Sequence, residues 1–207
     1  KEVLTPFIAK SVLWEISGHL AKYKKNMYKV TPFEKEDEEY ILKPMSCPFH
    51  ILIFKSKPRS YKDLPLRLSE FGIVHRYELE GTLDGLLRTR VLQQNDAHVF
   101  VTEDQIEREC GDMIDMALTV YKTFNLKPMF VLATRPAERI GSDELWDIAE
   151  NALKNVLEHR NIQYILKEGD GAFYGPKIDI YVADFTGKFD QTYAASTIQL
   201  DFNLPKI

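Results

Sequence analysis

The stretch from Leu86 to Val101 concentrates side chains able to do chemistry. Read as a strand, it turns successive side chains to opposite faces. The even positions then present Arg88, Arg90, Gln94, Asp96 and His98, and the odd positions Leu87, Thr89, Val91, Gln93, Asn95, Ala97 and Val99. One face collects two cations, an amide, a carboxylate and an imidazole. Across the expected hairpin, Arg76 and Glu78 also share a face. A merely solvated face would alternate Lys and Glu. Arg, Gln, Asp and His offer directional recognition instead, and arginine suits two-point binding of phosphate or carboxylate.

Cys47 and His98 form a second pair of interest, because thiolate and imidazole are natural zinc ligands. Pro48 fits the first turn of a helix, which puts Cys47 at a helix N-terminus, where its deprotonation is favoured. Two ligands do not make a site, however. From the residues alone the ordinary reading, a buried thiol and a hydrogen-bonded histidine, prevails. A third feature is the run Gly169-Asp-Gly-Ala-Phe-Tyr-Gly-Pro-Lys177, whose glycines permit a tight loop with Tyr174 and Lys177 at its rim. An ordinary connection between strands explains it equally well.

Elements must hold these residues. Ile8, Val12, Leu13, Ile16 and Leu20 recur at helical spacing and predict a helix over 7–22. A short strand is expected at 39–43, then a helix from Pro48 to about Phe54. Thr102 and Gln105 form a capping box. The helix it opens buries Ile106, Cys110, Met113, Ile114, Ala117, Val120 and Tyr121. A further helix begins near Ser142, with Leu145, Ile148, Ala149, Ala152, Leu153, Val156 and Leu157 as its apolar stripe. Residues 70–79 and 86–101 alternate and read as a hairpin with a long loop. Residues 177–184 and 188–203 alternate around Thr186-Gly187, and 128–134 adds a strand. The sum is an α+β fold, an antiparallel sheet flanked by helices.

The 207 residues fit one domain, or one with a small insert. With 44% hydrophobic and 12% aromatic residues a substantial core is available. No window is apolar for long enough to span a membrane, and residues 1–25 are charged throughout, unlike a signal peptide. A net charge of −4 argues against a wholly basic nucleic-acid-binding domain but leaves room for a local basic groove. Two cysteines, Cys47 and Cys110, are no disulfide framework, so a reducing compartment is expected: the cytoplasm, or an organelle.

Four segments together resemble successive signatures of threonyl-tRNA synthetases, in that family's order and spacing. They are Lys43-Pro-Met-Ser-Cys-Pro-Phe-His50, Phe71-Gly-Ile-Val-His-Arg-Tyr-Glu78, Asn95-Asp-Ala-His-Val-Phe100 and Gly171-Ala-Phe-Tyr-Gly-Pro-Lys177. Val12-Leu-Trp-Glu-Ile-Ser-Gly-His19 also looks like the family, after a Pro6 matching its first class II motif. The resemblance covers nearly the whole chain. It implies the class II synthetase catalytic fold over 1–207, a homodimeric parent, and activation of threonine by ATP with Mg²⁺, followed by transfer to the 3′ end of tRNA(Thr).

The resemblance also implies roles. Arg76 matches the arginine that holds the ATP α-phosphate and the amino-acid carboxylate. Glu78 matches a contact to the adenine amino group, and Arg88 a second phosphate contact. Cys47 and His98 match two of three zinc ligands, and Asp96 the acceptor for the threonine hydroxyl. Met45, Gln94, Tyr174, Lys177, Thr197 and Gln199 match further pocket positions, the last two near ATP. His19 matches a histidine implicated in transfer to tRNA.

Departures accompany the match. Leu92 stands where the family stacks a Phe on adenine, Val91 replaces a Gly, and Ala194 replaces a Gln. The family's third zinc ligand, a histidine, and its motif 3 arginine fall beyond Ile207, and no editing or anticodon-binding domain is expected within the chain. A catalytic threonine–tRNA ligase core therefore competes with a non-catalytic synthetase-like module that binds a nucleotide or protein partner. A serine or proline enzyme of the same class is disfavoured by Cys47, Asp96 and His98.

Overall fold

The computed structural model describes residues 1–35, 37–183, 187–188, 193–202 and 204. The chain divides into two compact units, residues 1–100 and 101–206.

The first unit begins where a single helix over 7–22 is expected. The chain instead forms strand β1 (Ile8–Lys10), helix α1 (Ser11–Ile16) and helix α2 (His19–Tyr23). Two causes replace the long helix. Ile8, Ala9 and Lys10 pair with Leu42, Ile41 and Tyr40, and Gly18 adopts φ +73°, a left-handed conformation that ends α1. The apolar spacing there was misleading, since Val12 and Ile16 are 49% and 59% exposed while Trp14 is fully buried. Trp14 packs with Ile41 and Phe49 in a small core.

Strand β2 (Lys29–Val30) joins β3 (Tyr40–Leu42) in a three-stranded sheet of order β1-β3-β2. Helix α3 (Cys47–Lys55) follows, with proline in its first turn as expected. Strands β4 (Leu66–His75) and β5 (Val91–Phe100) make an antiparallel ladder running from Leu66↔Phe100 to His75↔Val91. The ladder begins four residues earlier than expected in β4. It also starts at Val91 in β5, so residues 86–90 belong to the loop.

The second unit has a four-stranded sheet of order β7-β6-β8-β9. Helix α4 (Ile106–Thr123) starts after a capped turn in which the Thr102 and Gln105 side chains reciprocate, as the sequence indicates. Strand β6 (Pro128–Ala133) leads through helix α5 (Asp143–His159) to β7 (Tyr164–Lys167). β6 and β7 are parallel, as a crossover helix requires, so the sheet is not purely antiparallel. β7 was not expected from the sequence. Strand β8 (Lys177–Val182) pairs antiparallel with both β6 and β9 (Ser196–Gln199). Residues 184–186 and 189–192 of the expected connection, Thr186 included, lie outside the described residues. The core packs Ile114 of α4 and Leu153, Val156 and Leu157 of α5 with Phe130, Leu132, Ile178 and Ile180 of the sheet. Val120 and Ile148, expected inside, are 47% and 48% exposed, and Trp146 is buried instead.

Candidate functional site

Register decides the chemistry of the β4–β5 ladder. Directly opposed residues share a face, so Glu70 lies across from Asp96, Gly72 from Gln94, and Leu68 from His98. Gln94, Asp96 and His98 are half-buried, whereas Gln93, Asn95 and Ala97 on the other face are exposed. The expected shared polar face is therefore present for these three. Gly72 leaves room there: a Cβ on it would lie 3.0 Å from Ser46 Oγ. Leu92 has the same parity and opposes the buried Val74.

Arg76, Glu78, Arg88 and Arg90 do not gain their arrangement from strand alternation, because all four sit beyond the ladder. Their loop gathers them differently. The Arg76 amide donates to the Arg90 carbonyl at 2.8 Å, and Arg76 Nε donates to the Pro44 carbonyl at 3.1 Å. Arg88 donates from Nε and Nη2 to Glu78 Oε2 at 3.2 and 3.0 Å. Arg90 Nε donates to the Glu78 carbonyl at 3.1 Å and its guanidinium lies 5.0 Å from the Tyr77 ring. Met45 is half-buried in the turn between β3 and α3.

On the same face lies a buried cluster that sequence reasoning missed. Glu70 is 1% exposed. Its carboxylate accepts from the Thr5 amide at 2.8 Å, the Thr5 hydroxyl at 2.9 Å, Lys43 Nζ at 3.1 Å and His50 Nε2 at 3.1 Å. Burial alone would raise the Glu70 pKa, but the Thr5 and Lys43 donors outweigh it and hold it at about 2. His50 Nδ1 in turn faces His98 Nδ1 at 2.8 Å. Burial lowers the His98 pKa, opposed by the Asp96 carboxylate, whose nearest oxygen is 3.9 Å from Nδ1. A parity signal was available for Glu70, which shares it with the buried Leu68 and Val74.

Cys47 is the first residue of α3 and is half-buried. Among the described residues no group of three or more His, Cys, Asp or Glu side chains is arranged to hold a metal. The zinc expected at Cys47 and His98 thus gains no support from geometry; the pair offers donors of the right chemistry but not a full set. Cys110 is a buried thiol whose pKa burial, with nearby Glu109, pushes up to about 12. The contacts of His19 are with Trp14 and Ser17. It is 1% exposed, edge-on to Trp14, with Nδ1 2.9 Å from Ser17 Oγ and, among the described residues, no hydrogen-bond partner for Nε2. Burial lowers its pKa.

The second unit brings together four of the residues singled out in its sequence. The register sets Lys177 against Gln199 and Asp179 against Thr197 on one face of β8–β9. Asp179, only 2% exposed, accepts from Thr197 Oγ1 and pairs with Lys177 Nζ, both at 2.7 Å. Tyr174 donates its hydroxyl to Gln199 Oε1 at 3.1 Å. Asp179 was not singled out, although a lone carboxylate between Ile178 and Ile180 marks it. The glycine loop is required by close approach. A Cβ on Gly175 would meet the Leu200 carbonyl oxygen at 1.7 Å, and one on Gly171 the Thr134 carbonyl oxygen at 2.5 Å.

Residues 28–207 match the tRNA synthetase class II core domain (G, H, P, S and T). The chain belongs to this class II synthetase core family. Among curated relatives of this core, the threonine–tRNA ligase catalytic subunit of Sulfurisphaera tokodaii is 53% identical over 209 residues, covering 100% of this chain and 38% of the relative. The threonine–tRNA ligase of Aquifex aeolicus is 50% identical over 205 residues, covering 99% of this chain and 31% of the relative. A solved structure described as the RNA binding domain of threonyl-tRNA synthetase from Cryptosporidium parvum Iowa II superposes with a TM-score of 0.89 at 44% identity. That match covers 100% of this chain and 50% of the other. The chain spans about a third of the length of the curated relatives it matches. Among the described residues no helix is long and apolar enough to cross a membrane.

Proposed function

We propose that this chain is the aminoacylation core of a threonine–tRNA ligase, with residues 1–207 forming one partial catalytic core of a cytoplasmic, homodimeric enzyme. The observation that supports the reading is the half-buried polar face of β5, where Gln94, Asp96 and His98 stand side by side on a fixed ladder. Identity near 50% to threonine–tRNA ligases along the whole chain supports the same reading.

In the first step a threonine carboxylate oxygen attacks the α-phosphorus of ATP, and the bond to the bridging oxygen breaks in line. Pyrophosphate leaves with that electron pair, giving threonyl-adenylate. Arg76 and Arg88 meet the negative charge that builds on the phosphoryl oxygens, and Glu78 accepts from the adenine amino group. Mg²⁺, when bound with ATP, would supply charge compensation to the phosphates. In the second step a ribose hydroxyl at the tRNA 3′ end attacks the activated carbonyl, and AMP departs. Catalysis of this kind is mostly positioning and charge stabilisation. His19 has the transfer role that the resemblance assigns. Tyr174, Lys177, Thr197 and Gln199 serve substrate binding, Asp179 fixing two of them.

Asp96 would accept a hydrogen bond from the threonine hydroxyl. Cys47 and His98 would hold zinc with a third ligand from outside these residues, the metal supplying a Lewis-acidic point for the amino and hydroxyl groups. The test is amino-acid-dependent pyrophosphate exchange with metal analysis on the full-length protein. Valine lacks the hydroxyl and should be rejected by roughly 10⁴–10⁵, whereas serine lacks only a methyl, worth roughly 10–200-fold. Valine activated as well as serine sinks the Asp96 reading. Absence of any exchange favours the non-catalytic module. Stoichiometric zinc surviving Cys47→Ser removes the thiol from the metal site.

A further inference from the structure

The glycine loop that carries Tyr174 is held from outside its own sequence. Residues 134–142 join β6 to α5, and they grip that loop at two points. The Gly171 amide donates to the Thr134 carbonyl at 2.8 Å, and the Ile140 amide donates to the Phe173 carbonyl at 2.9 Å. Phe173 directly precedes Tyr174, and their rings meet edge-to-face with centroids 4.8 Å apart. The two grips therefore fix the backbone from which the Tyr174 hydroxyl reaches Gln199.

Helix α5 fixes each grip in turn. The Thr134 carbonyl and the Arg135 N–H belong to one planar trans peptide, so they point in opposite directions. On the side away from Gly171, that N–H donates to Glu150 Oε1 at 2.7 Å. The same carboxylate accepts from Arg135 Nε at 3.1 Å and from Nη2 at 2.6 Å, so it binds the main chain and the side chain of one residue together. Charge-assisted hydrogen bonds of this kind are strong and directional. At the second grip, the Ile140 carbonyl accepts from Trp146 Nε1 at 2.9 Å. Trp146 and Glu150 are four residues apart on α5 and share a face. One helix face thus anchors both ends of the gripping segment. We infer that Glu150 is a positioning residue for Tyr174: it orients the Thr134–Arg135 peptide and, through that peptide, the glycine loop. The inference rests for its purpose on the reading of Tyr174 as a substrate-binding residue, although the chain of contacts stands without any substrate.

The experiment is ¹⁹F NMR of the full-length protein labelled with fluorotyrosine, run beside pyrophosphate exchange, with Tyr174 assigned by loss of its signal in Tyr174→Phe. Glu150→Ala leaves the Arg135 N–H without its acceptor and should shift or broaden the Tyr174 resonance. Arg135→Lys keeps the main-chain donor and a cation, so the resonance should stay in place. Exchange in Glu150→Ala should fall by roughly 10²-fold, the scale on which a displacement of about 1 Å counts. Because Glu150 acts through Tyr174, adding Glu150→Ala to Tyr174→Phe should cost little more than Tyr174→Phe alone. If Glu150→Ala does not fold, Glu150→Gln takes its place: one amide oxygen replaces two carboxylate acceptors, and the resonance should still move. A Tyr174 resonance unmoved in the Glu150 variant that folds, or losses that multiply in full in the double variant, overturns the inference. Exchange unaffected by Tyr174→Phe sinks the substrate-binding reading of Tyr174, while a resonance that moves with Glu150 leaves the positioning standing.

Discussion

Arg88 closes over Glu78 through two guanidinium nitrogens that reach the same carboxylate oxygen, Nε at 3.2 Å and Nη2 at 3.0 Å. The Arg88 side chain is 39% exposed, and ion pairs of that kind contribute roughly 0–1 kcal/mol to stability. Orientation is the larger effect, because each partner fixes the direction of the other on a loop that has no strand to do so.

Arg88→Ala and Arg76→Ala should therefore separate activity from stability. Losing one charge-stabilising donor costs roughly 3–4 kcal/mol of transition-state stabilisation, a rate loss of about 10²–10³-fold. Pyrophosphate exchange in the full-length protein should fall by that factor while the melting temperature moves by only a few degrees. Arg88→Lys should recover stability but not exchange, because a lysine cannot make the two-nitrogen contact. Near-normal exchange in Arg76→Ala would make that residue structural.

Glu70 gives the protein a specific acid sensitivity. Its pKa is held at about 2 in the folded chain against an ordinary 4.5. A depressed carboxylate pKa contributes stability that is present above the unfolded value and is lost as pH falls through the folded one. The contribution is on the order of 3 kcal/mol, disappearing between about pH 4.5 and pH 2. Glu70→Gln should lose stability at neutral pH and show a flatter acid-unfolding curve over that window. A variant with the same acid slope as the unsubstituted protein would contradict the assignment.

Cys110 should be chemically silent. Its thiol is 3% exposed and titrates at about 12, so almost no thiolate exists near neutrality. In native full-length protein, Cys110→Ser should leave the number of fast-reacting thiols unchanged. In denaturant it should lower the total by one. A drop in the native count would show that the α4 core opens.

Gly175→Ala should be severe. The added Cβ would sit 1.7 Å from the Leu200 carbonyl oxygen, so backbone must move. Overpacking of this kind costs roughly 1–3 kcal/mol and sometimes more. The Tyr174–Gln199 hydrogen bond spans the same loop and should be lost with it. Melting temperature measures the first effect. A wild-type melting curve would mean that the loop accepts a side chain.

Legibility followed the source of each signal. The capping box of α4, the proline turn of α3, the β6 strand and the alternation of Gln94, Asp96 and His98 depend on local residue types, and all are present. The long N-terminal helix is absent because pairing with β3 is a non-local event, and because Gly18 takes a left-handed conformation that stops α1. Arg76 and Glu78 were matched to Arg88 by strand parity, yet their meeting is a loop contact that no periodicity encodes. Lys43 and His50 stand at the two ends of one family signature, but their meeting at Glu70 is not legible in sequence, because each is unremarkable alone. Their meaning arises from three elements converging on one carboxylate.

The β4–β5 ladder divides the candidate functional residues of the first unit by how freely evolution can edit their surroundings. Gln94, Asp96 and His98 stand on paired backbone, where inserting a single residue would send each of them to the opposite face. Arg76, Glu78 and Arg88 hang on residues 76–90, outside the pairing. Even doubling such a connection costs only about 0.6 kcal/mol in closure entropy. On the proposed reading, selectivity for the amino acid is tied to register, while the loop arginines can tolerate insertions and deletions around them that leave the ladder untouched.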